Sequence, residues 1–211
     1  MQATETDKAP HRRGDVREAL IAAGLALISE QGSSGLTLRK CAARAGVSHA
    51  APAHHFAGLA GLKHAVVLEG FRQFTAELHK DLQDVDEDPL RRLKTICRTY
   101  VSFCLARPAL FKEMFALYVP DVMEGKMDRV VRDAWDIFRT QCQPFVREDL
   151  PLEIVELRVR SFLHGYTRVA LTGQFGKAGE SGYPIGPLEE VMAMLDHLAH
   201  PNEPFSPPTQ A

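Results

Sequence analysis

The sequence predicts an all-α fold of about nine helices: an N-terminal three-helix head of helix-turn-helix type and a larger helical body. Three observations carry that expectation. Apolar residues recur at helical spacing along most of the chain, with no convincing β alternation. Ser, Thr or Asp precedes several of these segments, and Gly or Pro punctuates them. A short spacer, Ala45-Gly46-Val47, separates two short helical segments near the N-terminus, and its length and glycine are those of a helix-turn-helix.

Val16, Leu20, Ala23, Leu27 and Ile28 form the apolar stripe of a first helix over 15–31, with Asp15 as N-cap and Gly32 as stop. Thr37 caps a second helix over 38–45, which stops at Gly46. Ser48 is expected to cap a third, running to about Phe56. That places Pro52 at its fourth position, where the missing N–H removes only the first internal bond. A fourth helix runs from about 58 to 84 with Leu62, Val66, Phe71, Phe74 and Leu78 as its stripe. Asp88 followed by Pro89 starts a fifth, to Arg107. Pro108 opens a sixth, closed by Pro120, and a seventh spans 125–147 with Pro144 bending its last turn. Pro151 opens an eighth over 152–175; a loop over 176–187 precedes a ninth over 188–199. The expected organisation is a flexible arm (1–14), a helix-turn-helix head (15–62), a body (63–200) and a disordered proline-rich tail (201–211).

Composition narrows the class. At 211 residues the chain can bury a substantial core. No apolar run reaches 18 residues and the N-terminal stretch is polar, so neither a membrane span nor a secretory signal is expected, and the cytoplasm is the expected compartment. The net charge of −2 hides an asymmetry. Residues 1–68 hold eight Lys/Arg against five Asp/Glu, a net +3, and the rest hold 17 against 22, a net −5. A basic head suits a polyanionic partner. The four cysteines form no C-x-x-C pair. Cys97 and Cys104 share a helix face about 10 Å apart, too far for a disulfide. All four are expected to be reduced and mostly buried.

Residues 46–64, GVSHAAPAHHFAGLAGLKH, hold four of the nine histidines, His49, His54, His55 and His64. Metal spacing is poor there. His54 and His55 diverge by about 100° on a helix, His49 and His54 are five apart, and H-x-x-x-H is absent. No metal and no cofactor is expected. No Ser/His/Asp order, metal spacing or carboxylate pair stands out in the body, so an enzyme is not expected. Leu38, Ala42 and Phe56 would face the first helix, leaving Arg39, Lys40, Ser48, His49, Ala50, Ala53 and His54 exposed. In such motifs the start of the second motif helix enters the major groove, and alanine can meet a thymine methyl group.

The run LTLRKCAARAGVSHAAPAHHFAGLAGLKHAVVLEGF resembles the DNA-binding domain of the TetR/AcrR family of bacterial transcription regulators. Thr37, Ala42, Ala45, Gly46, Val47, Ser48, His55, Phe56, Leu62 and Lys63 carry the match, which covers about 14–70. Two positions depart from the pattern: Ala53 stands where most relatives have a phosphate-touching tyrosine, and Pro52 where many have leucine. The resemblance implies that Arg39, His49 and Ala50 read base edges and that Thr37, Ser48, His54, His55 and Lys63 hold phosphates. Arg12, Arg13 and Arg17 add backbone contacts. It implies double-stranded operator DNA as partner.

The resemblance also implies a body that dimerises and usually binds a small molecule. Residues 107–118 and 163–171 resemble a C-terminal subgroup with a Trp-His-Gly signature; His164-Gly165 is present and the tryptophan is not. Phe103, Phe115, Tyr118, Trp135, Phe138 and His164 are the candidates to line an effector cavity between helices five and eight, with Arg168 as a further polar candidate. A homodimer seam is expected through helices eight and nine. It would use Ile154, Leu157, Ser161 and His164 on one, and Val191, Met194, Leu195 and Leu198 on the other. Two readings stand: a homodimeric repressor released by a small, largely apolar ligand, or a DNA-binding dimer without such a ligand, constitutive, partner-controlled or activating.

Overall fold

The computed structural model describes residues 13–123, 128–172 and 188–199. The expected arm over 1–14 lies almost entirely outside the described residues, and the loop over 176–187 and the tail lie wholly outside them. The fold is all-α, and no strand occurs among the described residues. None of the helices described is long and apolar enough to cross a membrane. The chain divides after Gly70 into two compact units.

The first unit contains α1 (Arg13–Gln31), a 3-10 turn (Ser33–Gly35), α2 (Leu38–Ala45), α3 (Ala51–His55) and the start of α4 (Gly58–Gln83). Leu20, Leu27, Ile28, Ala42, Phe56, Leu62 and Val66 are buried together with Cys41. The packing of α1 is tight enough to select glycine. A Cβ on Gly24 would sit 2.6 Å from the Val66 side chain. Thr37 caps α2 as its sequence implies, its hydroxyl accepting the Lys40 N–H at 3.2 Å. The end of α2 is a Schellman turn: Val47 N–H donates to the Ala42 carbonyl (3.0 Å) and Gly46 N–H to that of Ala43 (3.2 Å). Gly46 takes φ 67°, a left-handed conformation that a Cβ would strain.

The third helix corrects the sequence reading. Ser48 does not cap it. Ala51 N–H donates to the Ser48 carbonyl, closing a turn over 48–51, and α3 starts only at Ala51, with no side-chain cap on its N-terminus. The reason is Pro52. It has no N–H to return to Ser48, so the α-helical ladder cannot begin there, and the proline falls at the second helical position. That N–H would have been unpaired in any helix, so the proline costs α3 no internal bond.

The second unit contains the rest of α4, α5 (Pro89–Ala106), α6 (Pro108–Met123), α7 (Arg129–Cys142), a 3-10 turn (Gln143–Phe145) and α8 (Leu152–Thr172). It ends in α9 (Leu188–Met192), a 3-10 turn (Ala193–Leu195) and α10 (Asp196–Ala199), which together occupy the expected ninth helix. Asp88 caps α5 by accepting the Arg91 N–H at 2.7 Å. The helix α6 passes through Pro120 to Met123 instead of closing there, since one proline removes one ladder bond without stopping the turns around it. Pro144 does more than bend α7. The helix ends at Cys142 and the chain tightens into the 3-10 turn that contains the proline.

α5 packs against α6, α7 and α8, and α7 against α8. Their centre is aromatic. The Phe74 ring lies 5.1 Å from Phe103, 5.9 Å from Tyr100 and 6.2 Å from Phe138, the range of favourable ring pairs. Arg98 clamps Glu189 bidentately (2.5 and 2.7 Å), joining α5 to α9. Arg147 donates to the Leu198 carbonyl at 3.0 Å. These contacts place Leu195 and Leu198, 4% and 7% exposed, in the protomer's own core. They are not free for a seam between copies. Ile154, Leu157 and Met194 are exposed. All four cysteines are free and buried, as expected. Burial raises every thiol pKa, that of Cys142 to about 12, so none is poised as a nucleophile.

Candidate nucleic-acid interface and ligand cavity

The first candidate site is built from the ends of α2 and α3. Arg39 and Lys40 sit on the first turn of α2, both exposed. Lys40 is drawn aside, donating to Gln31 Oε1 at 2.7 Å. Ser48, His49 and Ala50 form the exposed turn ahead of α3, and Ala53 and His54 are the exposed positions on it. Pro52 and Phe56 point inward and are buried, which fixes which side of α3 faces out. Thr37, His55 and Lys63 are half-buried at the edges of this surface. The structure therefore gathers Arg39, Ser48, His49, Ala50 and His54 as exposed groups of one unit. Thr37 Oγ1 is already committed to its cap.

Of the basic side chains beside this surface, two are turned to structural use. Arg44 forms a bidentate pair with Glu30 (2.6 and 2.7 Å), which lowers the glutamate pKa and raises that of the arginine. Arg17 lies over the Phe56 ring, 5.5 Å from its centroid. The side chains of Arg12 and Arg13 lie outside the described residues. No group of His, Cys, Asp and Glu among the described residues could hold a metal ion.

The second candidate site is a cavity of about 640 Å³ in the second unit, within the usual range of small-molecule sites. Phe115, Trp135 and His164 line it, as the sequence suggests. Phe103 does not. It is fully buried under the Arg107 guanidinium, 4.3 Å from the ring centroid. Phe138, 1% exposed, stacks into the aromatic centre and borders only a separate recess of about 160 Å³. These two corrections have one cause. Both side chains point from α5 and α7 into the bundle axis, toward Phe74 of α4. The side chain of Tyr118 lies outside the described residues.

Sequence reasoning missed most of the cavity wall: Tyr100 of α5, and Glu153, Glu156, Leu157, Arg160 and Ser161 of α8. The α8 spacing of 153, 156/157, 160/161 and 164 is one helix face and could have signalled it. His164 sits at one end, its Nδ1 3.5 Å from the Tyr100 hydroxyl and its ring 4.8 Å from Phe115. Burial first, then the charges of Arg168 and Arg160, hold its pKa below the ordinary histidine value. Arg160 lies over the cavity's tryptophan, its guanidinium carbon 4.1 Å from the Trp135 ring centroid. Arg139 faces Glu156 at 3.5 Å and Glu153 at 3.8 Å.

Two family models match the chain. Residues 20–66 match "Bacterial regulatory proteins, tetR family", and residues 93–184 match "Tetracyclin repressor-like, C-terminal domain". No curated protein matches it by sequence. Among solved structures it is similar to a protein of unknown function from Rhodococcus sp. RHA1, 26% identical over 92% of this chain and 98% of that one, with a TM-score of 0.72. It is also similar to a TetR transcriptional regulator from Streptomyces coelicolor, 16% identical over 88% of this chain and 96% of that one, TM-score 0.60. A TetR family transcription regulator from Marinobacter aquaeolei VT8 is 16% identical over 88% and 94%, TM-score 0.59. At 16% identity the last two share the fold. With both domains matched, over 139 of its 211 residues, the chain belongs to the TetR family of DNA-binding transcriptional regulators.

Proposed function

We propose that this regulator acts in the cytoplasm as a homodimeric repressor that leaves its operator when a small, largely apolar ligand enters the α5–α8 cavity. The observation that carries the reading is the pairing of two features: exposed Arg39, His49, Ala50 and His54 on α2, α3 and the turn between them, and an aromatic-walled cavity elsewhere in the same chain. In this reading Arg39, His49 and Ala50 meet base edges, and Ser48, His54, His55 and Lys63 meet phosphates. Thr37 adds a phosphate contact through whatever its cap leaves free. No catalytic role is assigned to either unit. His164-Gly165 keeps the likeness to the Trp-His-Gly subgroup, with Arg160 one turn before the histidine.

One exposed head buries too little surface for tight specific binding, so two heads on one operator are needed. Exposed Leu157, Ile154 and Met194 supply apolar surface for the seam between copies. The ligand acts only through its differential affinity for the DNA-competent and released states. α4 contributes Leu62 and Val66 to the first core and Phe71, Phe74 and Leu78 to the second, and would carry that difference.

The test is a DNA titration with a duplex selected from a random pool, followed by fluorescence anisotropy. Arg39→Ala should weaken binding by about 1–3 kcal/mol and relax base preference at one position of each half-site. Lys63→Ala should weaken all duplexes alike and lower the salt slope by about 1 for each head. A double variant that binds as the parent does would contradict the assigned face.

A further inference from the structure

We propose that the ligand of the α5–α8 cavity is an apolar monocarboxylic acid whose carboxylate is held by Arg160, with His164 as a second donor. The inference rests on the effector reading above.

Arg160 carries it. Its guanidinium lies 4.1 Å from the Trp135 ring centroid, and among the described residues no carboxylate pairs with it. A contact of that kind uses none of the guanidinium N–H donors in a conventional hydrogen bond, and a carboxylate fits the guanidinium fork with two parallel hydrogen bonds. The ring also holds the side chain in place before any ligand arrives, which lowers the ordering cost of binding. His164 follows one turn later on the same face of α8, and both line the cavity.

The cavity also has two carboxylates of its own, Glu153 and Glu156. They sit toward the start of α8, Glu153 about 10 Å and Glu156 about 6 Å along the helix axis from Arg160. Arg139 of α7 meets both, at 3.8 and 3.5 Å. Arg139 therefore offsets part of their charge from α7, and among the described residues neither carboxylate pairs with Arg160. The field at the far end is positive. The groups around His164 are Arg160 and Arg168 of its own helix, the Tyr100 hydroxyl of α5, and the apolar rings of Phe111 and Phe115 of α6. A ligand cation placed beside His164 would face Arg160 and Arg168, with the two carboxylates nearer the other end of the wall. A ligand carboxylate meets a guanidinium and an imidazole that becomes a donor on taking up a proton. Tyr100, Phe115 and Leu163 remain for the apolar part.

The experiment uses the full-length protein and its single tryptophan, Trp135, whose fluorescence reports on the site. Three probes of one shape are titrated: 4-phenylbutyrate, the neutral 4-phenylbutyramide and the cation 4-phenylbutylamine. The acid should bind at least about tenfold more tightly than the amide, the size of one charge-assisted hydrogen-bonded pair. Arg160→Gln should erase that difference and leave amide binding in place, and Arg160→Lys should restore part of it. Acid affinity should fall from pH 6 to pH 8, because bound carboxylate favours protonated His164, while amide affinity stays level. An amide or amine that binds as tightly as the acid, or an acid preference that survives in Arg160→Gln, overturns the carboxylate assignment and leaves the cavity as an effector site. If none of the three probes binds, the carboxylate assignment and the effector role of this cavity fall together.

Discussion

The surface proposed to meet DNA is drawn from one uninterrupted run, Thr37 to Lys63, whereas the cavity draws on Tyr100, Phe115, Trp135 and the length of α8. In the first unit each structural step is taken by residues three to five apart. Thr37 caps through Lys40, Gly46 turns the chain through Ala42 and Ala43, and Pro52 delays α3 through Ser48. In the second, the same kinds of cap and turn only bring helices into place. Which aromatic ring faces a cavity is then decided by neighbours from other helices. Local chemistry specifies the first site, and long-range packing specifies the wall of the second.

The comparison can be broken most sharply at Phe138. If the body rests on its aromatic centre, Phe138→Ala should cost about 3–5 kcal/mol in urea unfolding. A loss under about 1 kcal/mol would mean that the ring cluster is not what organises the second unit. The next effect belongs to the first unit. Gly46→Ala places a Cβ in the left-handed region and should cost about 1–2 kcal/mol, with weaker DNA binding because the angle between α2 and α3 shifts. Unchanged stability and affinity would show that the turn tolerates side chains and that its glycine is incidental.

The caps test whether the two units obey one rule. Thr37→Ala and Asp88→Ala each remove a side-chain acceptor from a helix start, and each should cost about 1 kcal/mol. Asp88 should cost the more, because its shorter bond at 2.7 Å also places a negative charge at a helix N-terminus. The smallest expected effect is a pH dependence. The folded pKa of His164 lies below the ordinary 6.5, so the unfolded chain binds a proton that the folded chain resists. Stability is therefore undiminished above about pH 6.5 and falls as the pH drops below it. His164→Gln should flatten part of that fall in thermal melts between pH 7 and 5, and an identical profile in the variant would remove His164 as its source.

The all-α class, the nine helical stretches, the helix-turn-helix and the reduced cysteines were legible from spacing and punctuation, because each depends on residues within a few turns of one another. Even there Ser48 misled. The missing N–H of Pro52 was expected to remove one bond from a helix capped by Ser48; instead it moves the helix start to Ala51. Pro120 and Pro144 show the same residue with opposite outcomes, continuation in α6 and a 3-10 ending in α7. The sequence around a proline states which donor is lost and not whether the surrounding helix survives the loss. Phe103, Phe115, Trp135 and Phe138 are equivalent as letters on apolar stripes. Packing sent Phe103 and Phe138 to the core and left Phe115 and Trp135 at the cavity. Arg160, an ordinary surface residue by its letter, became the cavity's candidate anion holder only when α7 brought Trp135 beneath it. Periodicity reports which face of a helix is apolar. The neighbour that face meets depends on contacts distant in the chain, and only the tertiary structure decides those.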